Sequence, residues 1–292
     1  MVVAARSGDT PETLARSHLG DAAKSWMIED FMGTRKFTAG QHVVIPKKPW
    51  NVSGVEATGF QLVPVLVYHN IGREAHGRLV LGVDAFAEQM KYLKANGYRV
   101  VSAADLVDWL RQRRQLPRKT VVLTFDDGYR SFKDYAYPVL KELRFTATLF
   151  VYTDYVGAGR NALGWDDLKA LTAEGFDVQA HSKSHADLRR GDSETDAQYG
   201  RRMQLELTEP PRVLTRNVGH PVTFLAYPYG RVDDAVIAKV RDGGYQAAFT
   251  VRRESNAAFV DLLRISRSQV YSEMTLEQFA KNLNVFHPEN LR

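Results

Sequence analysis

Two adjacent carboxylates follow an apolar run in the middle of the chain, in the segment TVVLTFDDG (residues 120–128). A buried carboxylate is costly unless a positive charge lies beside it, and neighbouring acids also repel each other. Farther along, the segment HSKSH places His181 and His185 four residues apart, a spacing that puts both rings on one face if the segment is helical. Two imidazoles and one carboxylate can bind zinc and leave a position open for water. A divalent cation would also stabilise an ionised Asp126 or Asp127.

The elements that must position these groups begin at residue 60, where apolar strand runs alternate with amphipathic helical runs. Such alternation predicts an α/β fold with a parallel sheet, and about seven repeats favour a barrel over an open sheet. In a barrel of this kind the functional side chains lie where strands end. Polar or unusual residues follow four of the predicted strands, at Tyr68-His69, Asp126-Asp127, His181 and Tyr227-Pro228-Tyr229-Gly230.

The first 48 residues form a separate unit of strand, helix, helix and strand. This unit resembles a lysin motif (LysM) domain, through Gly8-Asp9-Thr10, Leu14-Ala15, Trp26, Ile28, Gly40-Gln41 and Ile45-Pro46. The resemblance implies binding of glycans that contain N-acetylglucosamine, although EDFMG stands where such domains usually carry an asparagine. Residues 49–59 are rich in small residues without periodicity and are predicted to be a linker to the barrel at 60–292.

Composition excludes several kinds of site and partner. The chain has 292 residues, a formal net charge of +5 and no cysteine, so thiolate metal sites, disulfides and cysteine nucleophiles are excluded. Its basic residues are scattered or in short clusters such as RQRR (111–114) without interleaved aromatics, which favours a solvated helix face over nucleic-acid binding. No apolar run approaches the length of a membrane span, so no transmembrane segment is predicted.

The segments TFDDG, HSKSH and YPYG, in this order and spacing, make residues 60–292 similar to the polysaccharide deacetylase family, carbohydrate esterase family 4. The resemblance implies a distorted (β/α) barrel with fewer than eight strands. It implies that Asp127, His181 and His185 bind one divalent ion, with zinc expected. It also implies that Asp126 is the general base and that the backbone N–H of Tyr229 stabilises the oxyanion. Amide hydrolysis needs an activated water, oxyanion stabilisation and an acid for the leaving amine.

The acid of this family is usually a histidine near the end of the domain, and this chain departs from that order. His287 stands in the polar tail NVFHPENLR and is interpreted as a surface histidine, whereas His69 directly follows the buried strand LVPVLVY. A permuted branch that includes poly-N-acetylglucosamine deacetylases begins in this way. His69 is therefore predicted to be the general acid; the alternative is a histidine that merely caps a strand.

A second departure concerns the residue that orients the base, because Ala226 stands where the family commonly has an arginine. The segment DLLRISRSQV offers Arg264 and Arg267 as substitutes, and Asp261 as a partner for His69; each is equally compatible with an ordinary surface or strand-end charge. Aromatic side chains near the strand ends either stack on sugar rings or pack in the core; these are Tyr68, Trp165 and Tyr227.

These patterns predict a metal-dependent deacetylase that acts on N-acetylglucosamine units of an extracellular or cell-wall polysaccharide. Two alternatives stay open: an esterase that removes O-acetyl groups from xylan or another glycan, and a non-catalytic glycan-binding protein. The LysM-like unit favours N-acetylglucosamine, and the intact acid pair with both histidines favours catalysis. We expect a location in the cell envelope, either periplasmic or secreted.

Overall fold

A computed structural model of the protein describes residues 1–74 and 77–291. Its N-terminal unit has the predicted strand–helix–helix–strand order, formed by β1 (Val2–Ala4), α1 (Pro11–Leu19), α2 (Ser25–Met32) and β2 (His42–Val44). The two strands pair antiparallel, and the Thr10 hydroxyl caps α1 by accepting a hydrogen bond from the Thr13 amide. The unit has its own small core, made of Ala5, Leu14, Ala15, Ile28, Val43 and Ile45.

The remainder of the chain alternates strands and helices. Its strands are β3 (Val55–Glu56), β4 (Gly59–Gln61), β5 (Val65–Tyr68), β6 (Asn70–Gly72), β7 (Val80–Gly82), β8 (Arg99–Val101), β9 (Thr120–Asp127), β10 (Thr148–Val151), β11 (Asp177–Ala180), β12 (Phe224–Ala226), β13 (Ala247–Phe249), β14 (Ser268–Gln269) and β15 (Phe286–Pro288). Its helices are α3 (Val83–Ala95), α4 (Ala103–Leu110), α5 (Tyr137–Leu143), α6 (Trp165–Ala173), α7 (Asp196–Val218), α8 (Asp234–Asp242) and α9 (Leu276–Ala280).

The main sheet is parallel and curls into a partial barrel. Within the described residues its strands follow the order β13-β12-β11-β10-β9-β5-β14, and β8 pairs with the first residues of β9. A single parallel bridge between Phe249 and Ile265 links the segment before β14 to β13. The predicted distorted barrel with fewer than eight strands along its path is thus confirmed. All carboxyl ends of these strands point to one end of the sheet, and this end carries the candidate site.

The longest helix, α7, is an element that the sequence patterns did not indicate. It contains Pro210 and Pro211, which usually end a helix because proline lacks an amide donor and clashes with the preceding turn. Burial of its apolar face, including Met203, Leu207 and Leu214, overrides this local preference. The helix also contributes an acid to the site.

The N-terminal unit packs against the end of the barrel that lies opposite to the candidate site. Arg99, at the start of β8, bonds to Glu29 of α2 at 3.1 Å. The backbone N–H of Arg118, just before β9, donates to Asp30 of α2 at 2.9 Å. The segment predicted as a linker takes part in this junction, because the Trp50 ring contacts Phe31 with ring centroids 5.5 Å apart. The small unit is therefore seated on the barrel through polar and aromatic contacts.

Asp30 makes the stability of this junction depend on pH. Burial raises the pKa of its carboxyl from 3.8 to about 6, and nearby Arg118 and Arg99 only partly oppose this. A raised carboxyl pKa favours the folded state below about pH 4, and this contribution is lost as the pH rises through about 6. Asp30→Asn should therefore gain stability relative to the wild type between pH 4 and pH 7.5, by about 2 kcal/mol after solvent screening.

Urea unfolding of both proteins at several pH values measures this difference. The exposed Asp192→Asn serves as the control and should follow the wild type at every pH. A difference between Asp30→Asn and the wild type that stays constant from pH 4 to pH 7.5 would contradict the assigned pKa.

Candidate metal and hydrolase site

Strained backbone is concentrated at the carboxyl end of the sheet. Six non-glycine residues have positive φ among those described, and four of them surround the candidate site. These are Asp127 (75°), Ser182 (68°), His185 (61°) and Tyr229 (59°). Left-handed backbone costs energy for residues with a side chain and persists only where surrounding contacts enforce it. The orientation of these four side chains is therefore maintained at a cost in stability.

Asp126 and Arg267 form a buried ion pair at the base of the site. Asp126 is the second-last residue of β9, and Arg267 precedes β14; the two side chains are 3% and 0% exposed. The guanidinium donates from Nη1 to Oδ1 and from Nη2 to Oδ2, both at 2.7 Å. Its Nε donates to the Thr250 carbonyl at 2.9 Å, which fixes the plane of the fork. Of the two arginines considered from sequence, Arg267 is the one that contacts Asp126.

This pairing keeps Asp126 ionised. Burial by itself would raise its pKa, but the charges of Arg267 and His181 outweigh burial and lower the pKa to about 2. The small side chain of Ala226 stands where the family commonly has an arginine, and here Arg267 supplies a guanidinium from the segment directly before β14.

Asp127, His181 and His185 bring three potential metal ligands together. One ligand atom from each lies within 4.8 Å of the other two. Asp127 Oδ1 is 3.6 Å from His181 Nε2 and 3.4 Å from His185 Nε2. That oxygen is buried and has no hydrogen-bond partner among the described residues, which is costly unless a cation binds it. The donor set therefore fits a divalent ion.

The protonation state of these groups also suits a metal. His181 Nδ1 lies 2.7 Å from the Ala226 carbonyl, an arrangement that fixes Nδ1 as the donor and leaves the Nε2 lone pair facing Asp127. Burial lowers the pKa of His181 to about 4, so the ring is neutral near pH 7. Burial together with the charge of Asp126 raises the pKa of Asp127 to about 6, and a bound cation would favour its ionised form.

The HSKSH segment is a loop rather than a helical turn, so the shared helical face is not what brings the two histidines together. Glu206 of α7, which is 6% exposed, holds this loop. Its Oε2 accepts from the backbone N–H groups of Lys183 and Ser184 at 3.0 and 2.9 Å, and its Oε1 accepts from the Ser184 hydroxyl at 2.5 Å. Ser182 Oγ accepts from the His185 amide at 3.0 Å. These bonds enforce the left-handed backbone at Ser182 and His185.

Glu206 is a site-positioning residue that the sequence analysis missed. A signal for it exists in the sequence, because Glu206 interrupts the apolar series Met203, Leu207 and Pro210, whose spacing of three to four residues defines a buried helix face. An acid on such a face needs hydrogen-bond donors, and the HSKSH loop provides them.

The YPYG turn lies beside His185. Pro228–Gly230 form a short 3-10 turn. Its first amide that donates within the turn is that of Gly230, which bonds to the Tyr227 carbonyl at 2.8 Å. The Tyr229 amide precedes this donor and has no acceptor within the turn. Arg231 donates to Asp187 at 3.0 Å and thereby ties the turn to the loop that carries His185. The Tyr229 ring lies 4.6 Å from the His185 ring between centroids, so the turn is close to the three potential metal ligands.

His69 follows β5 and is adjacent in the sheet to the end of β9. Its Nδ1 is buried without a partner among the described residues, and its positive charge would lower the pKa of both Asp126 and Asp127. The structure does not bring Asp261 to it: Asp261 accepts from the Leu263 amide and lies 3.8 Å from Arg264. His287 is exposed, stacks on Phe60 and lies in the β15–β4 pair, where it contacts no residue of the site.

Four further residues suggested by sequence do not contact the three potential metal ligands or Asp126. Arg264 pairs with the exposed Asp234 and does not contact Asp126. Tyr68 is 1% exposed and donates to Gln89, and Tyr227 is fully buried and donates to the Leu263 carbonyl. Neither tyrosine has a face to offer a sugar, so burial favours the core-packing alternative for both. Trp165 is half-buried at the start of α6 and packs against the core.

Comparisons with known proteins find similarity to polysaccharide deacetylases. The family model for polysaccharide deacetylase matches residues 113–248. The poly-beta-1,6-N-acetyl-D-glucosamine N-deacetylase of Escherichia coli (strain K12) is 24% identical over 278 residues, which are 82% of this chain and 40% of that protein. A Bacillus subtilis (strain 168) relative is 27% identical over 188 residues, 64% of each protein. The chain thus spans less than two thirds of these relatives.

Comparison with solved structures also finds a deacetylase with a similar fold. A Streptococcus pyogenes deacetylase in complex with acetate superposes with a TM-score of 0.68 and 25% identity. The superposition covers 78% of this chain and all of that one.

The hydrogen bonds of Glu206 predict that this residue sets metal affinity. In Glu206→Leu, two backbone N–H groups and one hydroxyl lose their acceptor, so the loop that carries His185 should relax. Zinc affinity should fall by about 10- to 100-fold, the usual effect of removing a residue that orients a ligand. Glu206→Gln retains an acceptor oxygen and should lose less. Competition with a chromophoric chelator measures these affinities.

Two further variants serve as controls for this experiment, one that should lose zinc and one that should retain it. His181→Ala removes a ligand and should abolish tight zinc binding. Asp177→Asn alters another partly buried acid, which lies on β11 and bonds to Gln179, and should keep the wild-type affinity. Unchanged affinity in a folded Glu206→Leu protein would show that the loop holds its shape without Glu206.

Proposed function

We propose that the chain is a metal-dependent hydrolase of the polysaccharide deacetylase family, acting on N-acetylglucosamine units of a polysaccharide; the match of residues 113–248 to the family model supports this. It would cleave the acetamide and release acetate. The observation that carries this proposal is the placement of an ionised Asp126 directly beside the Asp127, His181 and His185 set. The name of the Escherichia coli relative supports an amide substrate.

The cofactor of this proposal is one divalent ion, and zinc suits a set of two imidazoles and one carboxylate. Bound there, it would supply an activated water near neutral pH and polarise the acetyl carbonyl. His181 and His185 contribute neutral nitrogens, and Asp127 contributes an oxygen that otherwise lacks a partner.

The proton transfers fall to residues that lie close to this set. Asp126 accepts the proton of the attacking water; Arg267 occupies one direction at each of its oxygens and leaves other lone pairs available. The Tyr229 amide donates to the oxygen that becomes negative when the carbonyl is attacked. His69, at the end of the neighbouring strand, donates a proton to the departing amine. Its Nδ1 makes no hydrogen bond with the described residues, so this atom is available to a ligand.

Acetate release from four polymers tests this function. We expect release from β-1,6-linked poly-N-acetylglucosamine or another N-acetylglucosamine polymer, with chitooligosaccharide, peptidoglycan and acetylated xylan measured side by side. Release from xylan alone would instead indicate an O-acetyl esterase. No release from any polymer by zinc-loaded protein would indicate a non-catalytic glycan-binding protein.

The base and acid assignments predict distinct losses. Asp126→Asn and His69→Ala should each lower turnover by about 10²-fold or more, the scale of general acid–base groups, while the zinc content stays near one ion per chain. Asp126→Asn also leaves Arg267 buried without a counter-charge, so the folded fraction must be measured with turnover. His287→Ala is the matched histidine control and should keep full turnover. Loss of activity in His287→Ala with normal activity in His69→Ala would reverse the assignment of the acid.

We also propose that residues 1–48 bind an N-acetylglucosamine polymer, as their LysM-like pattern implies. Deleting them should weaken retention on insoluble polymer through lost avidity and leave turnover of short soluble substrates unchanged. Circular dichroism and zinc content of the truncated protein control for damage at the Glu29–Arg99 junction. Equal retention of both proteins on insoluble chitin and peptidoglycan would indicate a purely structural unit.

The cellular location proposed for this activity is the cell envelope, either periplasmic or secreted, because the polymer substrates lie there. Among the residues that the structure describes, no helix is long and apolar enough to cross a membrane.

A further inference from the structure

A row of aromatic rings passes along one side of the three metal ligands. In order, the rings belong to Tyr129, Tyr155, Tyr152, His185 and Tyr229, with successive centroid distances of 5.8, 5.1, 5.3 and 4.6 Å. The row begins two residues after Asp127 and ends at the YPYG turn. We name its four tyrosines, Tyr129, Tyr152, Tyr155 and Tyr229, the tyrosine wall.

The wall is exposed enough to meet a ligand. Tyr229 is 56% exposed, and the other three tyrosines are half-buried rather than buried. This separates them from Tyr68 and Tyr227, whose hydroxyls bond to protein groups inside the core. Among the described residues, the hydroxyls of Tyr152, Tyr155 and Tyr229 make no hydrogen bond with protein.

The loop that carries two of these tyrosines is held in place. The Tyr155 amide donates to the Tyr152 carbonyl at 3.1 Å, and this turn stacks the two rings at an interplanar angle of 19°. The next contact anchors the turn to the metal-ligand loop, because the Asp154 amide donates to the Lys183 carbonyl at 2.9 Å. Lys183 Nζ also bonds to Asp154 at 2.6 Å. The wall is therefore preorganised relative to His185.

We propose that the tyrosine wall is a binding site for the pyranose units that flank the acetylated sugar, so that the protein selects chains of several hexosamine units over single sugars. Aromatic faces suit the C–H surfaces of pyranose rings, and free phenol groups suit sugar hydroxyls. The row extends over several rings, which matches a chain rather than a monosaccharide. This inference rests on the proposed deacetylase function, because it takes the acetyl group to lie at the metal ligands.

Tyr155 is the residue of choice for the test because its ring contacts Tyr129 and Tyr152 but not His185. Tyr155→Ala should raise KM for a β-1,6-linked N-acetylglucosamine pentamer by about tenfold, the effect of losing about 1.4 kcal/mol of aromatic contact. Turnover number, zinc content and KM for the monosaccharide should not change. Tyr155→Phe retains the face and should recover most of the affinity for the pentamer.

A second measurement is independent of activity. The fully deacetylated glucosamine pentamer cannot be hydrolysed further, so its binding to zinc-loaded protein can be followed by calorimetry. Tyr155→Ala should weaken this binding by a similar factor, and Tyr137→Ala, which removes a ring packed on Phe176 of the outer layer, should not. Equal pentamer binding and equal KM in folded Tyr155→Ala and wild type would overturn the proposal.

The two measurements also separate this proposal from the proposed function. Wild-type protein that releases acetate, but with a pentamer KM insensitive to Tyr155, retains its function and lacks this binding site. Protein that releases no acetate but binds the pentamer through Tyr155 lacks the function and retains the site. A protein with neither property contradicts both.

Discussion

The buried ion pair between Asp126 and Arg267 is the interaction on which the rest of the site depends. Two charges removed from water at the centre of a barrel are tolerated only with good geometry and further hydrogen bonds. This pair is bidentate, and its guanidinium also bonds to Thr250 and Thr124. The guanidinium joins segments that are far apart in sequence, since Asp126 lies near the end of β9 and Arg267 directly precedes β14. It thereby closes the base of the site and fixes the charge of the proposed base.

Around this pair, specific hydrogen bonds offset the energetic cost of an unfavourable backbone conformation. Asp127 and His185 have left-handed backbone, and their side chains must meet at one point to serve as ligands. Glu206 restrains the histidine loop from α7, and Asp187 with Arg231 links that loop to the YPYG turn. Contacts from helix α7 and from two loops thus hold the potential metal ligands in position, which the strand ends alone would not do.

The two ends of the sheet have different tasks. The carboxyl ends carry the candidate site, whereas the amino ends of β8 and β9 receive the N-terminal unit through Arg99 and Arg118. The eight residues of β9 separate the two ends by about 23 Å, at about 3.3 Å per residue. If the small unit holds a polymer, as proposed, the polymer would therefore reach the candidate site by passing around the barrel or as a neighbouring chain.

The sequence by itself determined the alternation of strands and helices, the position of each catalytic candidate at a strand end, and the three ligands whose residue types suit a metal. These features are local, because apolar runs and the residues that follow them can be read one element at a time. Only the tertiary structure decided which arginine serves Asp126, since Arg264 and Arg267 differ by three positions and only one points into the barrel. It also decided that Tyr68 and Tyr227 are core residues and that Glu206 restrains the site, because burial and hydrogen bonding depend on what packs around each side chain.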